Sequence, residues 1–183
     1  NRKPWYVLPQ QAIIGAEIIW PCRSGQRHVI AFNPNRIISH RFYRIHYSGN
    51  VRSLTAYLNS SFIAMCAEVL AGASLGQGVL DLNKPTLSEV PVIDCSRISE
   101  SDSNYMWEQL VHLSKEPQCS LLEQCGFDTS TGKCSLAKAH SIPRLNLDLI
   151  VGRILGLSET ETMDIREIAC NLINSRYSKA NSV

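Results

Sequence analysis

Guanidinium and imidazole groups are concentrated between Ile18 and Ala67. That stretch of fifty residues carries Arg23, Arg27, Arg36, Arg41, Arg44 and Arg52 with His28, His40 and His46, and not one Asp or Glu. The other 12 Lys and Arg stand against all 16 acids, so a chain of net charge +2 divides into a segment of +6 and a remainder of −4. Arginine clustered among aromatic residues is the composition of a surface that meets phosphate. The bland alternative is a basic face that water alone covers.

Other chemistries find less support. Cys119, Cys125 and Cys134 are the one local group among seven cysteines, and His140 could complete a zinc set. Their spacing fits no common zinc site and no C-x-x-C occurs, so metal-free, reduced thiols are expected. Cys66 and Cys170 fall at apolar positions of helical patterns and read as core thiols. Asp81 and Asp94 both follow the Gly72–Gly78 segment and could approach each other as a carboxylate pair; solvated or capping roles are commoner. The glycines lead into the strand-like Val79-Leu80-Asp81-Leu82 rather than a Gly-Lys-Ser/Thr helix start, which argues against a phosphate loop. No G-x-S-x-G and no H-E-x-x-H is present, and His112 sits within a helical pattern. Nothing in these residues argues for catalysis.

The elements that must position the arginines read as follows. Trp5–Pro9 and Ala12–Pro21 look like strands, the second with Gly15 as the place for a bulge. Arg23–Arg27 is a turn, His28–Phe32 a strand, Asn33–Asn35 a turn, and Arg36–Ser39 and Phe42–Tyr47 continue the sheet. In the last run Phe42, Arg44 and His46 share one face, and Tyr43, Ile45 and Tyr47 the other. The second set suits a core, so Arg44 should project outward with Arg23 and Arg27 on one surface, while Arg41 belongs to the preceding turn. A helix capped by Ser53 follows from Leu54 to Leu70. Thr86 to Val90 is one capped turn, and a helix spans about Ser103 to Lys115. Residues 116–144 form a loop with a turn near Leu121–Gln124. Leu145 to Leu155 is helical, and Ser158 with Glu161 makes a capping box for a last helix to about Lys179.

At 183 residues and 44% hydrophobic content the chain can bury a core, and it has no apolar run long enough to span a membrane. It has neither an initiator Met nor a leader pattern. Asn1-Arg2-Lys3-Pro4-Trp5 reads as an interior piece of a longer protein.

Taken in order, these motifs resemble the C-terminal target-recognition region of N6-adenine DNA methyltransferases of restriction-modification systems, the TaqI-like group. The series runs from the Arg-containing turn and strand (Arg23 to Phe32) to Ser39-His40-Arg41-Phe42-Tyr43, then Leu58-Asn59-Ser60. It continues through Gly76-Gln77-Gly78-Val79-Leu80-Asp81-Leu82, Leu87 and Pro91. Asp148, Leu155-Gly156-Leu157 and Arg176 close it. Residues 96–143 match nothing in that pattern. His40 stands where family members often have Asn, and neither the Asn-Pro-Pro-Tyr motif nor the Gly-rich cofactor motif occurs; Asn33-Pro34-Asn35 is a turn.

The resemblance implies an α+β fold of the specificity-domain type, a twisted, mostly antiparallel sheet with packed helices. It divides the chain into a recognition core (1–95), a connecting helix and loop (96–144) and a C-terminal helical hairpin (145–183). It implies recognition of double-stranded DNA without catalysis and with no cofactor in this piece; S-adenosylmethionine belongs to a catalytic domain elsewhere in the same parent chain, in the cytoplasm. Arg23, Arg27, His28, Arg36, His40, Arg41, Arg44 and His46 are the expected DNA-binding residues. The alternative is a protein-interaction module that docks a partner subunit.

Overall fold

The computed structural model describes residues 14–37, 40–71 and 78–182. The Trp5–Pro9 strand and the Gly72–Gly76 approach lie outside the described residues. Within them the fold is mixed α+β, with seven α-helices and small antiparallel sheets.

The central sheet has the order β3-β1-β4, formed by β1 (Ile18–Pro21), β3 (Ala31–Phe32) and β4 (Phe42–Ile45). Register pairs Ile18 with Ile45 and Trp20 with Tyr43. These pairs point into the core, where Ile18 and Trp20 are fully buried and Tyr43, Ile45 and Tyr47 pack against them. The alternation read from the sequence therefore holds: Ile19 and Arg44, paired across the same strands, take the opposite face. A second ladder joins β2 (Arg23–Ser24) to β5 (Leu80–Asp81).

The expected strand from His28 to Phe32 is shorter than its composition suggests. Ile30 gives its backbone not to a strand but to the Asn59 side chain, whose Oδ1 accepts from Ile30 N at 3.0 Å and whose Nδ2 donates to Ile30 O at 2.8 Å. The same residue corrects the expectation of one helix from Leu54 to Leu70. The chain makes α1 (Val51–Leu58) and α2 (Ser61–Leu70), separated by Asn59 and Ser60. Ser60 caps α2 through Ile63 N. Asn50, not Ser53, caps α1 by accepting from Ser53 N, and Ser53 is buried.

The expected strand at Arg36–Ser39 is also corrected over its described part. Arg36 has φ +50 and Ile37 N donates to Asn33 Oδ1, which makes the segment a turn. Gly15 is needed there, because a Cβ at that position would meet the Arg36 carbonyl oxygen at 2.0 Å.

Helix α3 (Lys84–Ser88) is capped by Asn83 rather than Thr86, and α4 (Glu100–Lys115) begins earlier than Ser103 because Ser99 caps it. The 116–144 segment contains α5 (Leu121–Gln124), with a Ser120–Glu123 capping box, and a hairpin of β6 (Phe127–Asp128) and β7 (Lys133–Cys134) that sequence reading lacked. Helix α6 (Ile142–Ile154) starts from Ser141 with Pro143 in its first turn, so Pro143 opens the helix instead of breaking it. Helix α7 (Glu159–Ala180) begins at the expected Ser158–Glu161 capping box.

Helix α7 packs on α2 and α6, and α4 packs on α1 and α6. One core draws on Ile18, Tyr57, Met106, Leu147 and Val151, so strands and helices from the whole chain share it. A second holds Ala64, Leu121, Cys125, Cys170 and Ile173. No helix among the described residues is long and apolar enough to cross a membrane.

Candidate nucleic-acid interface

The central sheet buries its apolar side and turns its cations outward. All six arginines of the acid-free segment, Arg23, Arg27, Arg36, Arg41, Arg44 and Arg52, are exposed, as are His40 and His46. Arg44 sits opposite Ile19 in the ladder; Cys22 N donates to Arg41 O at 2.9 Å, and Arg23 follows on β2.

The arginines fall into two neighbourhoods. Arg36 and His46 line a hollow beside Ile14–Glu17, and Arg44 donates to the Ile14 carbonyl at 2.9 Å. Arg36 reaches Glu17 at 3.4 Å. Arg23 and Arg27 instead border a cavity against α4 and the 116–119 segment. Arg23 approaches Asp81 at 3.3 Å, and Arg27 donates to Gln118 Oε1 at 2.6 Å. Exposed pairs of this kind contribute about 0–1 kcal/mol, so a phosphate can displace either carboxylate at little cost.

His28 is turned the other way. Its Nε2 meets the Leu58 carbonyl at 2.7 Å and its ring stands edge-on to Trp20 at 5.9 Å. Burial lowers its pKa to about 4, with the Leu58 carbonyl opposing and Arg144 reinforcing the shift. An unfolded histidine titrates near 6.5. Between those values the unfolded chain binds a proton that the fold refuses, so this contribution is complete above about pH 6.5 and is lost as pH falls toward 4. We expect wild-type stability to fall by about 2 kcal/mol from pH 7 to 5 relative to a His28→Gln variant, since one pKa unit is about 1.4 kcal/mol. Urea titrations at the two pH values check this; equal losses in both proteins would contradict it.

Beneath the surface lies a buried polar network that sequence reading did not find. Asp148 Oδ1 accepts from Ser61 N and its Oδ2 from Ser61 Oγ, both at 2.7 Å, and Arg166 Nη1 donates to the same carboxylate. Arg144 donates through Nε to Gln124 at 2.9 Å and through Nη1 to the Asn59 carbonyl. An arginine inside a helical pattern reads as solvent-facing, and Arg144 even has Asp148 four residues on, so nothing in its local spacing marks it as buried.

Cys125 and Cys134 meet Cys170, not Cys119. The two neighbouring thiols, with Arg166 and Arg144 behind them, hold the Cys125 thiol well below its ordinary range, while hydrogen bonding to Cys125 raises Cys170. No group of three His, Cys, Asp or Glu side chains among the described residues is arranged to hold a metal ion. Asp81 and Asp94 are engaged separately, Asp81 with Arg23 and Asp94 with Ser96 and Arg97.

Comparison of the chain with protein-family models, with curated proteins and with solved structures found no match in any of the three.

Proposed function

We propose that this chain is the sequence-recognising part of an N6-adenine DNA methyltransferase or restriction-modification enzyme, binding double-stranded DNA in the cytoplasm. The catalytic half, with its S-adenosylmethionine, is assigned to another part of the same parent chain. The observation that carries the reading is a division of labour among the arginines. Those of the acid-free segment are all exposed, whereas the buried ones, Arg144, Arg166 and Arg176, come from the C-terminal helices. The segment brings six arginines to the surface and no acid of its own; the carboxylates that Arg23 and Arg36 meet, Asp81 and Glu17, come from outside it.

In this reading Arg23, Arg27, Arg36, Arg41 and Arg44, with His40 and His46, contact phosphates or base edges. Bidentate arginine on guanine supplies specificity, and the remaining contacts position the duplex. His28 is half-buried and tied to the Leu58 carbonyl, and on that ground it is left out of the contact set. The test is fluorescence anisotropy on labelled duplexes with Arg27→Ala and Arg44→Ala proteins. A phosphate contact lowers affinity about equally for all sequences, while a base contact costs roughly 1–3 kcal/mol and relaxes one position. Unchanged binding in both variants, with folding intact, would return the chain to the partner-docking alternative.

A further inference from the structure

Between the 27–32 segment and α4 lies a cavity of about 690 Å³. That is the size of a small-ligand site, far above a packing defect. Its walls are apolar and aromatic: Val29 and Phe32 on one side, Trp107 and Val111 on the other. Phe32 and Trp107 meet edge to face at 5.1 Å, and the Arg52 guanidinium lies 5.5 Å from the Trp107 ring, so the aromatic wall is fixed in place.

The polar groups sit at its two ends. At the inner end is Arg144, 1% exposed, whose hydrogen bonds go to a side-chain amide and a backbone carbonyl. No carboxylate hydrogen-bonds it, because Asp148 is committed to Arg166 and Ser61. Asp148 acts on Arg144 electrostatically but gives its hydrogen bonds elsewhere, so an electron-rich acceptor brought in beside this buried guanidinium is still favoured. At the outer end Arg27 is exposed; it hydrogen-bonds the neutral Gln118, with the Glu123 carboxylate near enough to act on it electrostatically. Of the cavity's lining residues, Glu116 alone is acidic.

We propose that this cavity binds a nucleotide unit. Its heterocycle enters between Trp107 and Val29, with an acceptor edge toward Arg144, and its phosphate rests on Arg27 at the rim. An apolar and aromatic cavity lined by Arg27 and Arg144 fits a ring with acceptors joined to a phosphate better than it fits a purely apolar group. The unit could be a free mononucleotide or a nucleotide swung out of a duplex; the second source rests on the DNA-recognition reading, and the first does not.

The experiment has two arms on the same protein. In the first, adenosine, guanosine, cytidine and thymidine monophosphates and inorganic phosphate are titrated calorimetrically at millimolar concentration. At least one nucleotide is expected to bind and inorganic phosphate is not, and Arg27→Ala should weaken binding about tenfold, the worth of one charge-assisted hydrogen bond. Val111→Trp, which fills the slot from the half-exposed face of α4, should abolish it with the urea midpoint retained; Ala31→Trp serves if that protein fails to fold. In the second arm, duplexes carry 2-aminopurine at each position in turn, and a fluorescence rise at one position that Val111→Trp removes identifies an extruded nucleotide. Nucleotide binding without such a rise assigns the site to free nucleotides. No mononucleotide binding together with no fluorescence rise overturns the proposal, as does binding that survives both filling variants. Loss of salt-sensitive duplex binding with mononucleotide binding kept would remove the DNA reading and leave the site.

Discussion

Replacing Asp148 with alanine is expected to destabilise the fold by about 3–5 kcal/mol, the cost of leaving one partner of a buried ion pair behind. Asp148 is 4% exposed and Arg166 0%. Arg166 Nε and Nη2 have no partner even with Asp148 in place, so the carboxylate is what offsets that buried charge. The substitution also removes the acceptor of Ser61 N and Oγ at the first turn of α2. Urea unfolding should show a lower midpoint at unchanged slope. Asp148→Asn should cost less, because an amide still accepts from Ser61. Asp148→Ala with Arg166→Met should recover a large part of the loss, since two apolar groups leave no buried charge. A single-variant loss under about 1 kcal/mol, the range of a surface pair, would contradict this account of the network.

Arg176→Ala should cost a similar amount and also impair DNA binding. Its guanidinium grips Glu68 at 2.8 and 2.6 Å, donates to the Gly78 carbonyl, and reaches the Gly25 carbonyl at 3.1 Å. One side chain thus ties α7 to α2, to Gly78 two residues before β5, and to the turn between Arg23 and Arg27. Both members of the ion pair are nearly inaccessible, at 6% and 7%, so solvent does not screen it and a loss of about 3–5 kcal/mol follows. Arg176→Lys should not restore it, because an ammonium cannot reproduce the two-pronged contact with Glu68 and reach two carbonyls as well. The contrast is the Arg153–Asp102 pair, 65% and 23% exposed, where removal should stay within about 1 kcal/mol. If Arg176→Ala kept full stability, the tie between α7 and the arginine turn would be immaterial.

What could be read in advance was what local chemistry determines. The Ser158–Glu161 box sets the start of α7 through contacts within four residues. The alternation of Tyr43, Ile45 and Tyr47 against Arg44 follows from the two-residue period of a strand. What escaped was set at long range. Asn59 lies in a run of apolar residues at helical spacing; the helix breaks there where Ser60 caps α2 and Asn59 bonds the Ile30 backbone, twenty-nine positions earlier. The thiol group needed Cys170 from α7 beside Cys125, a pairing that no spacing within 119–134 suggests. Of the candidate contact residues, the arginines could be placed on the surface because their own segment holds no acid to pair with inside the fold. The inward turn of His28 could not, because its partner is the Leu58 carbonyl at the end of α1. The cavity beside α4 was equally hidden, since Phe32, Trp107 and Arg144 are far apart in the chain.

The salt dependence of duplex binding by this chain tests the central claim most directly. If the exposed arginines neutralise about three to six phosphates, a plot of log affinity against log salt should fall with a slope of roughly −3 to −5. Each phosphate-contacting arginine changed to alanine should make that slope shallower by about one. A flat plot, or no binding at low salt, would contradict a phosphate-binding surface on this face.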